Sequence, residues 1–130
     1  MNGEMVSVPR LPEAELNNRS VKFSGKYVDK KYSRGSLADK SKVATTVAHG
    51  YYMGARHYEN IVNRPFWKPW VKKHLTSDEL EQEAVNAANA YIKEKGFAKL
   101  PHYEQAFIRA MVSYGFRNGF TSRGLSAAEA

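Results

Sequence analysis

Residues 47–54 read VAHGYYMG, and 65 positions later residues 112–119 read VSYGFRNG. Each copy places two glycines four residues apart, Gly50 and Gly54 in the first, Gly115 and Gly119 in the second. On a helix that spacing puts both glycines on one face. A glycine inside a helix costs about 1 kcal/mol relative to Ala, so the pair must be offset by something. Removing side-chain bulk lets a second helix backbone come close, and Tyr51, Tyr52 and Phe116 stand ready to fill the flanking space. The motif therefore predicts two matched helices, packed glycine face to glycine face across a pseudo-two-fold axis.

The likeness extends backward. Residues 11–31, LPEAELNNRSVKFSGKYVDKK, align with residues 75–95, LTSDELEQEAVNAANAYIKEK, at an offset of 64. Leu11/Leu75, Glu15/Glu79, Leu16/Leu80, Val21/Val85, Tyr27/Tyr91 and Lys31/Lys95 are identical, and one inserted residue brings the glycine blocks into register. Two matched blocks in the same order read as a tandem duplication.

Helix signals are clearest in the second copy. Thr76 or Ser77 can cap a helix whose early acids, Asp78, Glu79, Glu81 and Glu83, complement the dipole. Leu80, Ala84, Ala87, Ala88, Tyr91 and Ile92 form its apolar stripe, and Gly96 its stop. Pro101 opens the next helix, with Tyr103, Phe107, Ala110, Met111 and Tyr114 as the stripe and Ile108, Val112 and Phe116 on an adjoining face. In the first copy Pro12 opens a helix carrying Leu16, Ser20, Phe23, Ser24 and Tyr27. Taken alone, residues 19–34 also suit an extended basic arm, and it is the alignment that favours helix. Ser36 or Asp39 begins the last of the four, lined by Val43, Val47, Gly50, Tyr51, Gly54, Tyr58 and Ile61.

The expected fold is all-α: a pseudo-symmetric four-helix bundle of two tandem helical hairpins with glycine-paired contacts. Residues 1–10 are expected to be a flexible N-terminus and 11–124 a single domain. Within it the first hairpin spans about 11–63, a linker 64–75, and the second hairpin about 75–124. Residues 125–130 are expected to be a flexible C-terminus.

Composition narrows the function classes. The chain has no cysteine, which removes disulfides, thiolate nucleophiles and Cys-ligated metal. The longest uncharged stretch in the periodic regions is Val43 to Ala55, thirteen residues against the ~20 of a membrane span. Its N-terminus lacks the basic and apolar regions of a signal peptide. A cytoplasmic protein with no membrane partner is expected, and a homo-oligomer is possible but not indicated.

No Gly-rich phosphate loop, nucleophile elbow or H-E-x-x-H motif occurs. His49 and His57 are eight apart, about 80° around a helix and two turns along it, which suits no shared ligand. His49 aligns with Tyr114 and reads as an aromatic that happens to be an imidazole. His57 and Glu59 point to different sides of their helix, a poor acid–base pair unless another helix supplies the partner. No catalytic residue, metal ligand or cofactor is assigned, and the chain is expected not to be an enzyme.

Charge is what remains. Thirteen of the twenty Lys/Arg fall between Arg19 and Lys73 against only three acids, while the rest of the chain holds seven bases and ten acids. Such asymmetry calls for an anionic partner on one side of the molecule. The bases Arg19, Lys22, Lys26, Lys30, Lys31 and Arg34 belong to the first hairpin. The linker RPFWKPWVKKHL adds Arg64, Lys68, Lys72 and Lys73 with both tryptophans, Trp67 and Trp70. Those rings either seal the junction between hairpins or stand exposed among the bases, as base stacking beside phosphate contact requires. The leading expectation is a small basic protein engaging nucleic acid or a nucleoprotein complex through the first hairpin and linker. The alternative is an adaptor or inhibitor, of the kind phage accessory proteins supply, docking on an acidic surface of a host protein.

Overall fold

The computed structural model describes residues 8–63 and 75–129, with side chains to Leu125. The 64–74 part of the linker, residues 1–7 and Ala130 lie outside the described residues. Every regular element described is helical: α1 (Glu13–Lys31), α2 (Leu37–Val62), α3 (Ser77–Glu94) and α4 (His102–Glu129), with a short 3-10 turn at Phe97–Lys99. Among the described residues no helix is long and apolar enough to cross a membrane.

Local chemistry sets most boundaries. The Ser36 hydroxyl caps α2 by accepting the Asp39 N–H at 3.1 Å. Thr76 and Glu79 form a reciprocal capping box on α3, each side chain accepting the other's backbone N–H, at 3.1 and 2.9 Å. Gly96, at φ 74°, takes the left-handed conformation that turns the chain after α3. Pro101 offers its carbonyl to the N–H groups of Glu104 and Gln105, starting α4. By contrast α1 begins after Pro12 with no side-chain cap.

α2 and α4 are the central pair. A Cβ built on Gly50 would lie 2.1 Å from the Val112 carbonyl oxygen, and one on Gly54 2.0 Å from that of Phe116. Conversely, one on Gly115 would lie 2.2 Å from the Val47 oxygen, and one on Gly119 2.0 Å from that of Tyr51. No real side chain tolerates such distances, so only glycine permits this backbone approach. Lys42 pairs with Glu104 toward one end and Glu59 with Arg123 toward the other, so the two helices run parallel.

α1 lies antiparallel on α2: Leu16 packs with Tyr51 and Ala55, Val28 with Val43 and Val47. α3 lies antiparallel on α4, with Ala88, Tyr91 and Ile92 against Ile108 and Val112, and Arg117 near Glu81. Both interhelix turns therefore sit at the end where α2 and α4 begin.

Three expectations need correction. On α4 the core face is the adjoining one: Ile108, Val112, Ser113, Gly115, Phe116 and Gly119 are buried, whereas Tyr103 is 74% exposed and Ala110 is exposed. Phe107, Met111 and Tyr114 are only half-buried, against Val28, Val43 and Val47. The closest backbone approach decides which side is deepest, and that follows the glycines rather than the bulkiest residues. Second, α4 does not end at 124 but stays helical through Glu129, where Leu, Ala and Glu favour continuation. Third, Val8 to Leu11 are tied down: Val8 exchanges two hydrogen bonds with the Asn63 side chain, at 2.8 and 2.7 Å, and the Leu11 N–H reaches Glu59 at 3.0 Å.

Candidate nucleic-acid interface

Residues 19–34 are helical to Lys31, not an extended arm, and this arranges their bases. Lys22, Lys26 and Lys30 follow at four-residue steps, which spreads them over only about 80° of arc with about 6 Å of rise between neighbours. Arg19 leads into the row, and Lys31 and Arg34 carry positive charge around the turn into α2. All but the half-buried Arg19 are exposed. Between Arg19 and Arg34 the single acid is Asp29.

Some bases of the molecule are paired. Arg19 is paired with Glu15 at 2.7 Å. Lys42 is 3.6 Å from Glu104, Arg117 is 3.5 Å from Glu81, and Arg109 donates to Asn89 at 2.9 Å. Lys22, Lys26, Lys30, Lys31 and Arg34 have no ion-pair partner among the described residues. Lys22, Lys26 and Lys30 thus share one exposed face of α1. Arg64, Trp67, Lys68, Trp70, Lys72 and Lys73 lie outside the described residues.

A second polar constellation escaped sequence reasoning. Glu59 is 1% exposed and accepts from Arg56 at 2.7 Å, from Arg123 at 2.8 Å and from the Leu11 N–H at 3.0 Å. Both arginines are buried, and Arg123 also donates to the Pro9 carbonyl. Arg56 lies over the Tyr52 ring at 5.5 Å and near Glu13, whose carboxylate accepts from Tyr52 at 2.6 Å. Burial works to raise the Glu59 pKa, but the three donors outweigh it and hold the carboxyl below its usual value. An ionised carboxylate holding three donors fastens the chain entering α1.

The signal for it was present. Glu59 continues the four-residue row Val43, Val47, Tyr51, Ala55, all buried, and Arg123 continues the row Gly115, Gly119. Charged residues on core rows, one of each sign, are candidates for each other.

His49 and His57 are packed. His49 stacks against Tyr91 with centroids 4.5 Å apart, and burial lowers its pKa toward a neutral ring. His57 lies between the Phe116 and Phe120 rings at 5.4 and 6.0 Å, with Glu83 4.0 Å away. Among the described residues no group of three or more His, Asp or Glu could hold a metal ion. No family model matches the chain, and no curated protein or solved structure matches it.

Proposed function

We propose that this chain is a non-enzymatic, cytoplasmic nucleic-acid-binding protein. It engages nucleic acid or a nucleoprotein complex through the first hairpin, on the outer face of α1 and the turn after it, and through the 64–75 linker. The observation that carries this reading is the exposed row Lys22, Lys26 and Lys30, joined by Lys31 and Arg34, with no acid partner among the described residues. An exposed cluster of bases at four-residue steps with only one acid in the stretch is suited to neutralising an external polyanion.

The same reading takes the fold as a duplicated hairpin around a pseudo-two-fold axis. Supporting it are contacts that recur at the offset of the repeat. Gly50 meets Val112 and Gly115 meets Val47; Gly54 meets Phe116 and Gly119 meets Tyr51. Tyr27 stacks on Tyr114 at 4.7 Å and Tyr91 on His49 at 4.5 Å. An experimental structure in which Leu16, Tyr27 and Gly50 do not overlay Leu80, Tyr91 and Gly115 would sink the duplication.

Binding to labelled DNA and RNA across a salt series tests the function. Affinity should fall with salt by about 0.7 log units per contact on single strands and about 0.9 on duplex, per log unit of salt. Combining Lys26→Glu with Lys30→Glu should weaken binding to all sequences alike, because phosphate contacts carry no base information. A folded sample that binds neither DNA nor RNA at low salt refutes the reading and leaves an acidic protein as the remaining anionic partner.

A further inference from the structure

Beside the basic turn, Tyr32, Asp39, Lys42, Tyr103, Glu104 and Phe107 line a cleft of about 330 Å³ between the α1–α2 turn and the first two turns of α4. We infer that this cleft receives a single unstacked nucleobase, so that the protein prefers single strands; this rests on the nucleic-acid reading above.

Four observations bear on the occupant. Three aromatic rings come from three places in the fold: the C-cap of α1, and two positions one turn apart on α4. Tyr103 is 74% exposed although it stands next to a cleft with space to cover it. A ring so exposed is available to stack on something flat. Base–aromatic stacking is sequence-tolerant, because every base has a π-face.

The charges are sorted around the cleft. Lys31 and Arg34 lie one and two residues from Tyr32, which lines the cleft, and both are exposed, available to a phosphodiester backbone that passes it. Asp39 and Glu104 line it, where they can accept from exocyclic amino groups as carboxylates do from cytosine. Lys42 occupies the cleft with its ammonium 3.6 Å from Glu104 and 5.9 Å from the Phe107 ring centre. That cation disfavours an amine ligand, while the two carboxylates disfavour an acidic side chain. A nucleotide, flat and amino-bearing within and anionic without, fits both halves. Cytosine, adenine and guanine, which carry amino groups, should bind better than thymine or uracil.

Fluorescence anisotropy at low salt tests this, using short labelled oligo-dC, oligo-dT and a mixed duplex of equal length. Single strands should bind more tightly than the duplex, and oligo-dC more tightly than oligo-dT. Tyr103→Ala should lower single-strand affinity roughly tenfold, within the usual range for losing one stacked base, and leave duplex affinity alone. Tyr103→Phe should restore the ring and the affinity. Since Tyr103 is mostly exposed, its variants should melt like the parent. Should Tyr103→Ala bind oligo-dC like the parent while Lys26→Glu/Lys30→Glu loses affinity, the cleft is not a base site and the phosphate reading survives. If nothing binds, both fall.

Discussion

α1 and α3 are helices of nearly the same length, each laid antiparallel on a glycine-bearing helix, and they differ in what they do with their outer faces and their starts. Inside they are alike: Ser20, Ser24 and Val28 on α1 stand 64 residues before Ala84, Ala88 and Ile92 on α3, and all six are buried. The two serine hydroxyls are satisfied within their own helix, by the Leu16 and Val21 carbonyls at 2.9 and 3.1 Å, so each acts as a small spacer as alanine does. Outside, α3 bonds to itself and to neighbours: Gln82 to Asn86, Glu81 to Arg117, Asn89 to Arg109. α1 leaves Lys22, Lys26 and Lys30 open. Packing restrains the inner faces of both helices, and under the proposed function the outer face of α1 is the one turned to a partner. Their starts differ too, since α3 caps itself locally while α1 depends on a distant carboxylate.

The largest effect should come from that carboxylate. Glu59→Ala would leave Arg56 and Arg123 buried without their counter-ion, a loss of about 3–5 kcal/mol by chemical denaturation. Because the folded pKa of Glu59 lies below its unfolded value of 4.5, its stabilisation is fully present above that value. It is lost as pH falls through the folded pKa. Denaturation below about pH 4.5 should therefore weaken the parent more than a Glu59→Gln variant, which has no carboxyl to titrate. Equal acid sensitivity would show that α1 does not depend on the Glu59 charge.

Next in size is the feature both halves share. Gly54→Ala sets a methyl 2.0 Å from the Phe116 carbonyl oxygen, which is backbone and cannot rotate away. The helices must separate, at a cost of about 1–3 kcal/mol or more. Gly119→Ala, facing the Tyr51 carbonyl at 2.0 Å, should cost about the same. Unequal losses from the two variants would break the equivalence of the halves.

Much of this arrangement was legible in the chain. The four helices, the Ser36 and Thr76 starts and the close glycine contact follow from caps, stripes and the repeated motif. What misled was size: Tyr103, Phe107, Ala110, Met111 and Tyr114 look like a core stripe until two glycines pull the adjoining face of α4 inward. Glu59 and Arg123 were illegible for another reason. They are 64 residues apart, and a charge on a helix reads as solvent-facing unless its row of neighbours is followed. The candidate surface was legible only in part, because a run of bases does not reveal which are paired, and Arg19 is paired.

A smaller effect separates the two helix starts. Thr76→Ala removes half of the α3 capping box and should cost about 1 kcal/mol. Pro12 contributes no side-chain cap to α1, so substitution there cannot incur that loss. A Thr76→Ala variant as stable as the parent would mean that α3, like α1, is held by tertiary contacts at its start.

The smallest effect has the opposite sign. Gly25 sits on α1, with nothing within 4 Å of where a Cβ would be, so no packing offsets its poor helix propensity. Gly25→Ala should therefore raise stability by about 0.5–1 kcal/mol, read as a higher urea midpoint. The same atoms added at Gly54 should lower it, so only the surroundings decide the sign. Gly25 lies between Lys22 and Lys26 in the chain, and alanine there changes no charge, so affinity for nucleic acid should hold. A destabilised Gly25→Ala variant would mean that this stretch of α1 is covered in solution, and the open basic row would lose part of its claim to an external partner.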